Sequence, residues 1–466
     1  MKIILAGYNV DTAVLEELKK TSRKRQDVTP ETISASYARI SRDPRPIDEL
    51  RKLARAEVEK ARKSNANIIF KMGHHSIAEH AVFNFDILGV SRLALEELEK
   101  FRLCAYTEKS QRYQKLENDF VIPEEIKGSD LEKDFVETIQ KQNKFYHEII
   151  EQGIEPEDAR YVTSLATQAQ LGQTLNARNL EFIFRRFASH PLAEIRRIGK
   201  TMYDLVQPIA PSIILFAEAN DFDQKTYGEL KTKTLKLKTK SKEAGPEVEL
   251  IDFTAEPDQR LLAALLHSST RLTFAECSRQ AGKMSPKEKK ELIKTCFKYA
   301  ELYDRPLREF EYVDLTFNVV LSAACFGQLK RHRMASIISQ PYDPALGVTI
   351  PEAITKAGLD KKFKCIVNIT NKTFEKISKK NPLAAQYVLT NAHRKRVLIK
   401  FNARELYHIS RLREDKHAQW DIQRISAQMT AQAKKIMPLS MLFIGGKDKY
   451  PDIYEAQFGK KPNVVL

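Results

Sequence analysis

The chain repeats itself at about half its length, and any fold it adopts must accommodate that duplication. The segment LNARNLEFIFRRFASHPLAEIRRI from Leu175 resembles FNARELYHISRLREDKHAQWDIQRI from Phe401. Both open with Asn-Ala-Arg, place a Leu two residues on, and carry an Arg and a His at similar offsets. Asn176 and Asn402 lie 226 positions apart. Upstream, EHAVFNFDI resembles EYVDLTFNV, with Glu79 and Glu311 separated by 232. Between them, ELEKFRLCAYTEKSQRY and QLKRHRMASIISQPYDP set Lys100 and Arg331 231 apart. Downstream, QPIAPSIILF resembles KKIMPLSMLF. Matches in one order at a nearly constant offset predict a tandem pair: a domain over 1–222, a Lys-rich linker over 223–246 and a second domain over 247–466.

Each half reads alike. A short strand opens it (Met1–Leu5; Val248–Phe253) and helical sequence follows (Val14–Lys20; Gln259–His267). An alternating strand comes next (Val82–Leu88; Val313–Leu321), then a helix running into the basic motif. A long amphipathic helix starts near Asn-Ala-Arg, with Leu406, Ile409 and Leu412 spaced as a buried face requires. Strands and helices mix without a βαβ rhythm, so the fold class is α+β. The linker segment 225–243 holds seven Lys and two Glu, and its alternation predicts an extended solvated stretch or a strand with Lys on one face.

Composition narrows the function. With 42% hydrophobic and 30% charged residues the chain is globular. No apolar run approaches the roughly 18 residues of a membrane span, and the N-terminus reads as a strand, not a signal peptide. Five cysteines without a CxxC pair argue against a zinc ribbon or a disulfide framework and for the cytoplasm. A net charge of +16 suits anionic partners, yet no nucleic-acid-binding pattern accompanies it. No Walker A or dinucleotide-binding glycine pattern occurs, so side chains must hold any phosphate. HHSIAEH lacks the HExxH spacing and a third ligand, and no metal is assigned to it.

Two segments concentrate chemistry. Gln328-Leu-Lys-Arg331-His332-Arg333-Met-Ala-Ser336 crowds cations together, and Arg forks match phosphate or carboxylate oxygens. Glu108-Lys-Ser110-Gln111-Arg112-Tyr113 offers a carboxylate, a hydroxyl and a guanidinium that can converge on one ligand. Arg404 and His408 share a helix face, and Arg413, His417, Gln419 and Trp420 follow.

Taken as a set, RHRxxS, an E-x-S-x-R-Y segment, an NAR helix and a final LR…HAQW element resemble flavin-dependent thymidylate synthase, twice over and nearly end to end. The resemblance implies conversion of dUMP to dTMP, with FAD as cofactor, NADPH as reductant and methylenetetrahydrofolate as carbon donor. It also implies a homotetramer whose active sites are shared between subunits. Neither copy keeps the whole motif. The first has Lys100-Phe101-Arg102 in place of Arg-His-Arg, and Glu97 for the preceding Gln, but retains Glu108, Ser110, Gln111, Arg112 and Arg160. The second retains Gln328, Arg331, His332 and Arg333 but has Ser339, Pro341 and Asp343 at the dUMP end, and Gln386 where the first has Arg160.

The resemblance assigns flavin contacts to Arg331, His332, Arg333, Asn402, Arg404 and His408, and to His74 and Glu79, with Ser41 and Ser76 matching less closely. In the first half Asn176, Arg178 and, across a one-residue gap, Arg186 match the NAR helix and its pyrimidine-contacting Arg, with Phe182 in place of His408. Gln328, Arg331, Glu108, Ser110, Gln111, Arg112 and Arg160 are expected to bind dUMP, and Arg413 to be catalytic. Uracil C6 must accept a nucleophile or hydride, and no cysteine stands where a nucleophile would; Cys104 occupies a position usually held by Ala. The complementary losses predict one composite site built from both halves, and a homodimer that mimics the tetramer. Three other readings fit the residues: an altered-substrate relative, a silent paralogue that binds flavin or nucleotide, and a basic nucleic-acid-binding protein.

Overall fold

The computed structural model describes residues 1–18, 20, 27–40, 42–113, 116, 119–234 and 245–463. The chain divides into two compact units, Met1–Lys240 with Lys361–Leu389, and Ser241–Asp360 with Thr390–Leu466. The five cysteines are free, and no described helix is long and apolar enough to cross a membrane.

The first unit holds a four-stranded antiparallel sheet of β1 (Lys2–Tyr8), β2 (Val82–Ser91), β3 (Cys104–Glu108) and β4 (Gln168–Asn176), in the order β1-β2-β4-β3. The second holds β5 (Val248–Phe253), β6 (Asp314–Ser322), β7 (Ser336–Ser339) and β8 (Arg394–Asn402), in the order β5-β6-β8-β7. The two sheets share one topology, as a duplication requires. Alternation builds them: Phe83, Phe85 and Ile87 on β2 are buried, as are Leu315, Phe317, Val319 and Leu321 on β6.

Helix starts repeat as well. Ser91 and Ser322 cap the helices Arg92–Leu98 and Ala323–Leu329, their hydroxyls accepting from Ala94 N and Cys325 N. Asn176 and Asn402 cap Ala177–Ala188 and Ala403–Arg413, accepting from Asn179 N and Glu405 N. Each Ser hydroxyl also donates to a buried carboxylate, Ser91 to Glu194 at 2.6 Å and Ser322 to Asp421 at 2.6 Å. These caps fix where the basic motif leaves each sheet.

The first unit draws on the second repeat. Gln142 in the helix Asp130–Glu151 donates to Thr370 Oγ1 at 2.8 Å and to the Val388 carbonyl at 3.0 Å. Thr138 meets Thr373 at 2.8 Å, and Tyr387 donates to Glu194 at 2.7 Å. The backbone N–H groups of Leu165 and Ala166 donate to the carbonyls of Leu389 and Tyr387 at 2.8 and 2.9 Å.

Two local expectations are corrected. The Lys-rich stretch does not begin extended: the helix Asp221–Thr234 runs into it, held by Asp223, which is buried against Arg185 and Arg186. Residues 235–244 lie outside the described residues. Leu412 does not share the buried face of Leu406 and Ile409. It is 44% exposed, because each three-residue step falls about 60° short of a full turn and carries Leu412 off the face on which Ser410, in the same last turn, stays buried.

Candidate functional site

In the second unit, the helix Ala323–Leu329 ends against a turn that buries His332, which is 2% exposed. Arg413 Nε donates to His332 Nε2 at 3.0 Å, and Arg413 Nη2 donates to the Gln328 carbonyl at 3.2 Å. On the other side of the ring, Nδ1 lies 3.4 Å from Glu405 Oε1. His408, one turn beyond Glu405, meets His332 edge-on at 5.5 Å between ring centres. Gln328 is buried, with its amide 3.4 Å from Gln419 Oε1. Arg331 and Arg333 flank His332 on the exposed surface.

Burial, reinforced by the Arg413 charge, pulls the His332 pKa down to about 3, so the ring is neutral near pH 7. Because Nε2 accepts from Arg413, the single ring proton sits on Nδ1, facing Glu405. Ligand atoms of His332, Glu405 and His408 lie within 4.8 Å of one another, close enough to share a metal ion. A metal on Nδ1 would need the ring proton on Nε2, where the Arg413 donor already points. Arg305, Arg404 and Arg413 also act on the Glu405–His408 pair, a field that opposes a cation.

His393, fully buried and accepting from Thr390 N at 2.9 Å, is likewise held neutral, its pKa lowered to about 4 by burial. Both folded-state values lie below the ordinary 6.5, so the stabilisation is full above pH 6.5 and is lost as pH falls below it. At pH 5 each imidazole is expected to cost the second unit about 2 kcal/mol relative to pH 7.5. Urea unfolding followed by Trp420, the chain's one tryptophan, checks this, and His393→Gln should flatten the pH slope by one such step.

The first unit has an aromatic version of the same cluster. Counting from the two capping Asn residues, Phe182 takes the place of His408 and Phe187 that of Arg413. Phe101 stands for His332 and meets Phe182 edge-on at 5.6 Å and Phe187 at 5.8 Å. The register needs no gap, so the match of Arg186 to Arg413 is corrected. Arg186 instead pairs with Asp223 and lies over the rings of Phe182 and Phe222.

Glu79 and Arg404 prove to belong to a repeated structural pair. Glu79 binds Arg178 in the first unit, and Glu311 binds Arg404 in the second, where Arg404 Nε also donates to the Pro306 carbonyl at 2.8 Å. Asn402 is the helix cap already described. His74 and Ser76 line a cavity of about 440 Å³ with Tyr37, Ile40, Arg42 and His80. Ser41 lies outside the described residues.

The retained residues of the first unit gather at the end of β3. Glu108 forms a buried ion pair with Arg92, a residue that sequence reasoning missed. Arg92 opens the helix capped by Ser91, and the same place in the second unit holds Ala323. Its sequence gives no sign of a role, because it sits in an apolar helix start away from the motif. Arg112 Nε donates to Glu157 at 2.5 Å, and its own N–H donates to Ser110 Oγ at 3.1 Å. Arg160 is 5% exposed and donates to the Glu157 carbonyl at 3.2 Å. Burial lowers the Arg160 pKa, with Arg92 and Arg112 adding to the effect against Tyr161 and Glu157. Ser110 and Gln111 open onto a cavity of about 260 Å³ lined by Lys109, Asp119, Gln168 and Gln170 together with Leu88 and Leu116. In the second unit the matching Asp343 instead caps a short turn, accepting from Ala345 N at 2.9 Å.

A tandem α+β pair with one polar and one aromatic version of the same cluster defines a duplicated, diverged domain. The thymidylate synthase complementing protein family matches it twice, over residues 25–212 and 249–439, and the chain belongs to that family. A flavin-dependent thymidylate synthase from Geobacter sulfurreducens is 33% identical over 190 residues, covering 40% of this chain and 80% of that protein. One from Clostridium tetani is 32% identical over 208 residues, covering 40% of this chain and 82% of that protein. A UMP/dUMP methylase, PolB from Streptomyces cacaoi, solved with 5-Br dUMP, aligns with a TM-score of 0.37 and 16% identity, covering 47% of this chain and 97% of that one.

Proposed function

We propose that this chain is a cytoplasmic FAD-dependent thymidylate synthase, converting dUMP to dTMP with methylenetetrahydrofolate as carbon donor and NADPH as reductant. One observation carries the reading: the two repeats retain complementary residues. The second keeps Gln328, Arg331, His332, Arg333 and Arg413, where the first has an aromatic cluster. The first keeps Glu108, Ser110, Gln111, Arg112 and Arg160, where the second has Ser339, Pro341, Asp343 and Gln386. On this reading both sets serve one composite site, and a homodimer carries two of them.

The residues suit a flavin dinucleotide. Arg331 and Arg333 are exposed beside His332, and the surplus of guanidinium groups there matches two phosphates. The cavity of His74 and Ser76 has Ile40, Ile68 and Ile77 for walls, which suits a flat ring. When bound, flavin supplies the redox chemistry. Arg112 and Arg160 hold the phosphate of dUMP as charge-assisted donors. Arg92 holds Glu108 in place for the sugar or base edge. Arg413, pinned by His332 and the Gln328 carbonyl, donates to the pyrimidine edge and stabilises negative charge as it develops.

The visible absorption of the purified full chain, with and without dUMP, tests this first. A flavin band that shifts on adding dUMP, and NADPH oxidation that yields dTMP, are expected. A colourless protein that cannot take up FAD would sink the proposal.

A further inference from the structure

We propose that Glu405 is a positioning residue that keeps the His332 proton on Nδ1, leaving Nε2 open to accept Arg413 and so holding the guanidinium in place. Glu405 has no part in the motif that marks the family resemblance. Its carboxylate is buried, at 7% exposure, and lies 3.4 Å from His332 Nδ1. Nδ1 is itself buried, and the carboxylate at 3.4 Å is a charge contact with it, not a hydrogen bond of ordinary geometry. A neutral imidazole carries one proton and one lone pair, so what faces one nitrogen decides what the other can do. With the carboxylate facing Nδ1, the lone pair is left on Nε2, and Arg413 Nε occupies it at 3.0 Å.

The first unit provides an internal control. There Phe101 replaces His332 and Phe187 replaces Arg413, and the position of Glu405 is Asn179. The Asn179 side chain turns back to donate to Asn176 Oδ1 at 2.8 Å, within its own helix cap. Without an imidazole to orient, the carboxylate is absent too. The groups acting on Glu405 in the second unit are His408, Arg305 and Arg404. None of them accounts for a carboxylate beside Nδ1 in particular, whereas the His332 tautomer does.

The test uses the full chain with ¹⁵N-labelled histidine, reading the His332 tautomer and the Arg413 Nε–H signal by NMR. The wild type is expected to show His332 protonated on Nδ1 and a protected Arg413 Nε–H. Glu405→Leu should move the proton to Nε2 and expose that Nε–H to exchange, and Glu405→Gln, whose amide oxygen still accepts, should largely retain both. If Glu405→Leu fails to fold, Glu405→Ala, which likewise leaves no acceptor, takes its place with the same expected shift. An unchanged tautomer and an unchanged Arg413 signal in whichever of these two variants folds would overturn the proposal. So would stoichiometric Zn²⁺ binding that shifts His332 and His408 together and releases the Arg413 signal.

The consequence for turnover rests on the catalytic reading of Arg413 given above. Glu405→Leu should lower kcat by roughly 10- to 100-fold, the usual effect of losing a partner that orients a histidine, with KM for dUMP little changed. A tautomer shift with undiminished kcat would leave Glu405 in its positioning role and remove Arg413 from catalysis.

Discussion

Residues 1–240 produced alone are expected to give no cooperatively folded protein, although they span a whole repeat. The first unit includes Lys361–Leu389 from the second repeat. Without that segment, Gln142 loses Thr370 and the Val388 carbonyl, and Thr138 loses Thr373. Glu194, which anchors the Ser91 cap, loses the Tyr387 hydroxyl. Leu165 and Ala166 lose the carbonyls that accept their N–H groups. Phe145, at 1% exposure and packed on Phe363, is uncovered. Each buried polar group left unpaired costs about 1–3 kcal/mol, and several together consume most of the ~5–15 kcal/mol by which a domain is stable. Circular dichroism and size-exclusion chromatography should show an aggregating or loosely structured chain. Co-expression with residues 245–466 should restore a sharp thermal transition. A fragment 1–240 that unfolds cooperatively and protects the Leu165 amide from exchange would refute the expectation.

That dependence was not legible in the sequence, and the reason is physical. A repeat announces its own strands and caps through local signals: alternation over Val82–Leu88, and an Asn just before a helix. Such signals place two of the four strands of each sheet, the first helix and the helix after Asn-Ala-Arg near their observed positions in both halves, but not the other two strands, which carry the basic motif and the Asn cap. They carry no information about which partner covers a face, so the assignment of 361–389 to the first unit could not be read. Arg92 escaped for a similar reason, since its partner Glu108 lies on a strand beyond the motif turn. Arg404 and Glu79 were legible as residues that matter, but not as members of a repeated ion pair. In sequence the Phe101–Phe182–Phe187 cluster is visible only as two unlike substitutions and a one-residue gap. Its unity lies in the three-dimensional register set by Asn176, which puts an aromatic cluster in one repeat where the other has a polar one.

Replacing Arg413 separates chemistry from cofactor retention most cleanly. Arg413→Ala is expected to lower the rate of dTMP formation by about 10²–10³-fold, the usual effect of losing a preorganised donor to developing charge. Flavin content should stay near that of the unaltered chain, because Arg331 and Arg333 remain. Stability should fall by only about 1–2 kcal/mol, since the change strips His332 Nε2 of its donor but opens no large cavity in the core. Arg413→Lys should not rescue turnover. One ammonium cannot donate to His332 Nε2 and the Gln328 carbonyl in the planar fork that fixes the guanidinium. Arg112→Ala, in the first unit, should act differently, raising KM for dUMP with a smaller change in kcat, because a phosphate contact is made in ground state and transition state alike. Single-turnover kinetics with flavin quantified by absorbance distinguishes the cases. If Arg413→Ala loses flavin and turnover in equal measure, Arg413 is structural, and the chemistry assigned to the second unit would have to reside elsewhere.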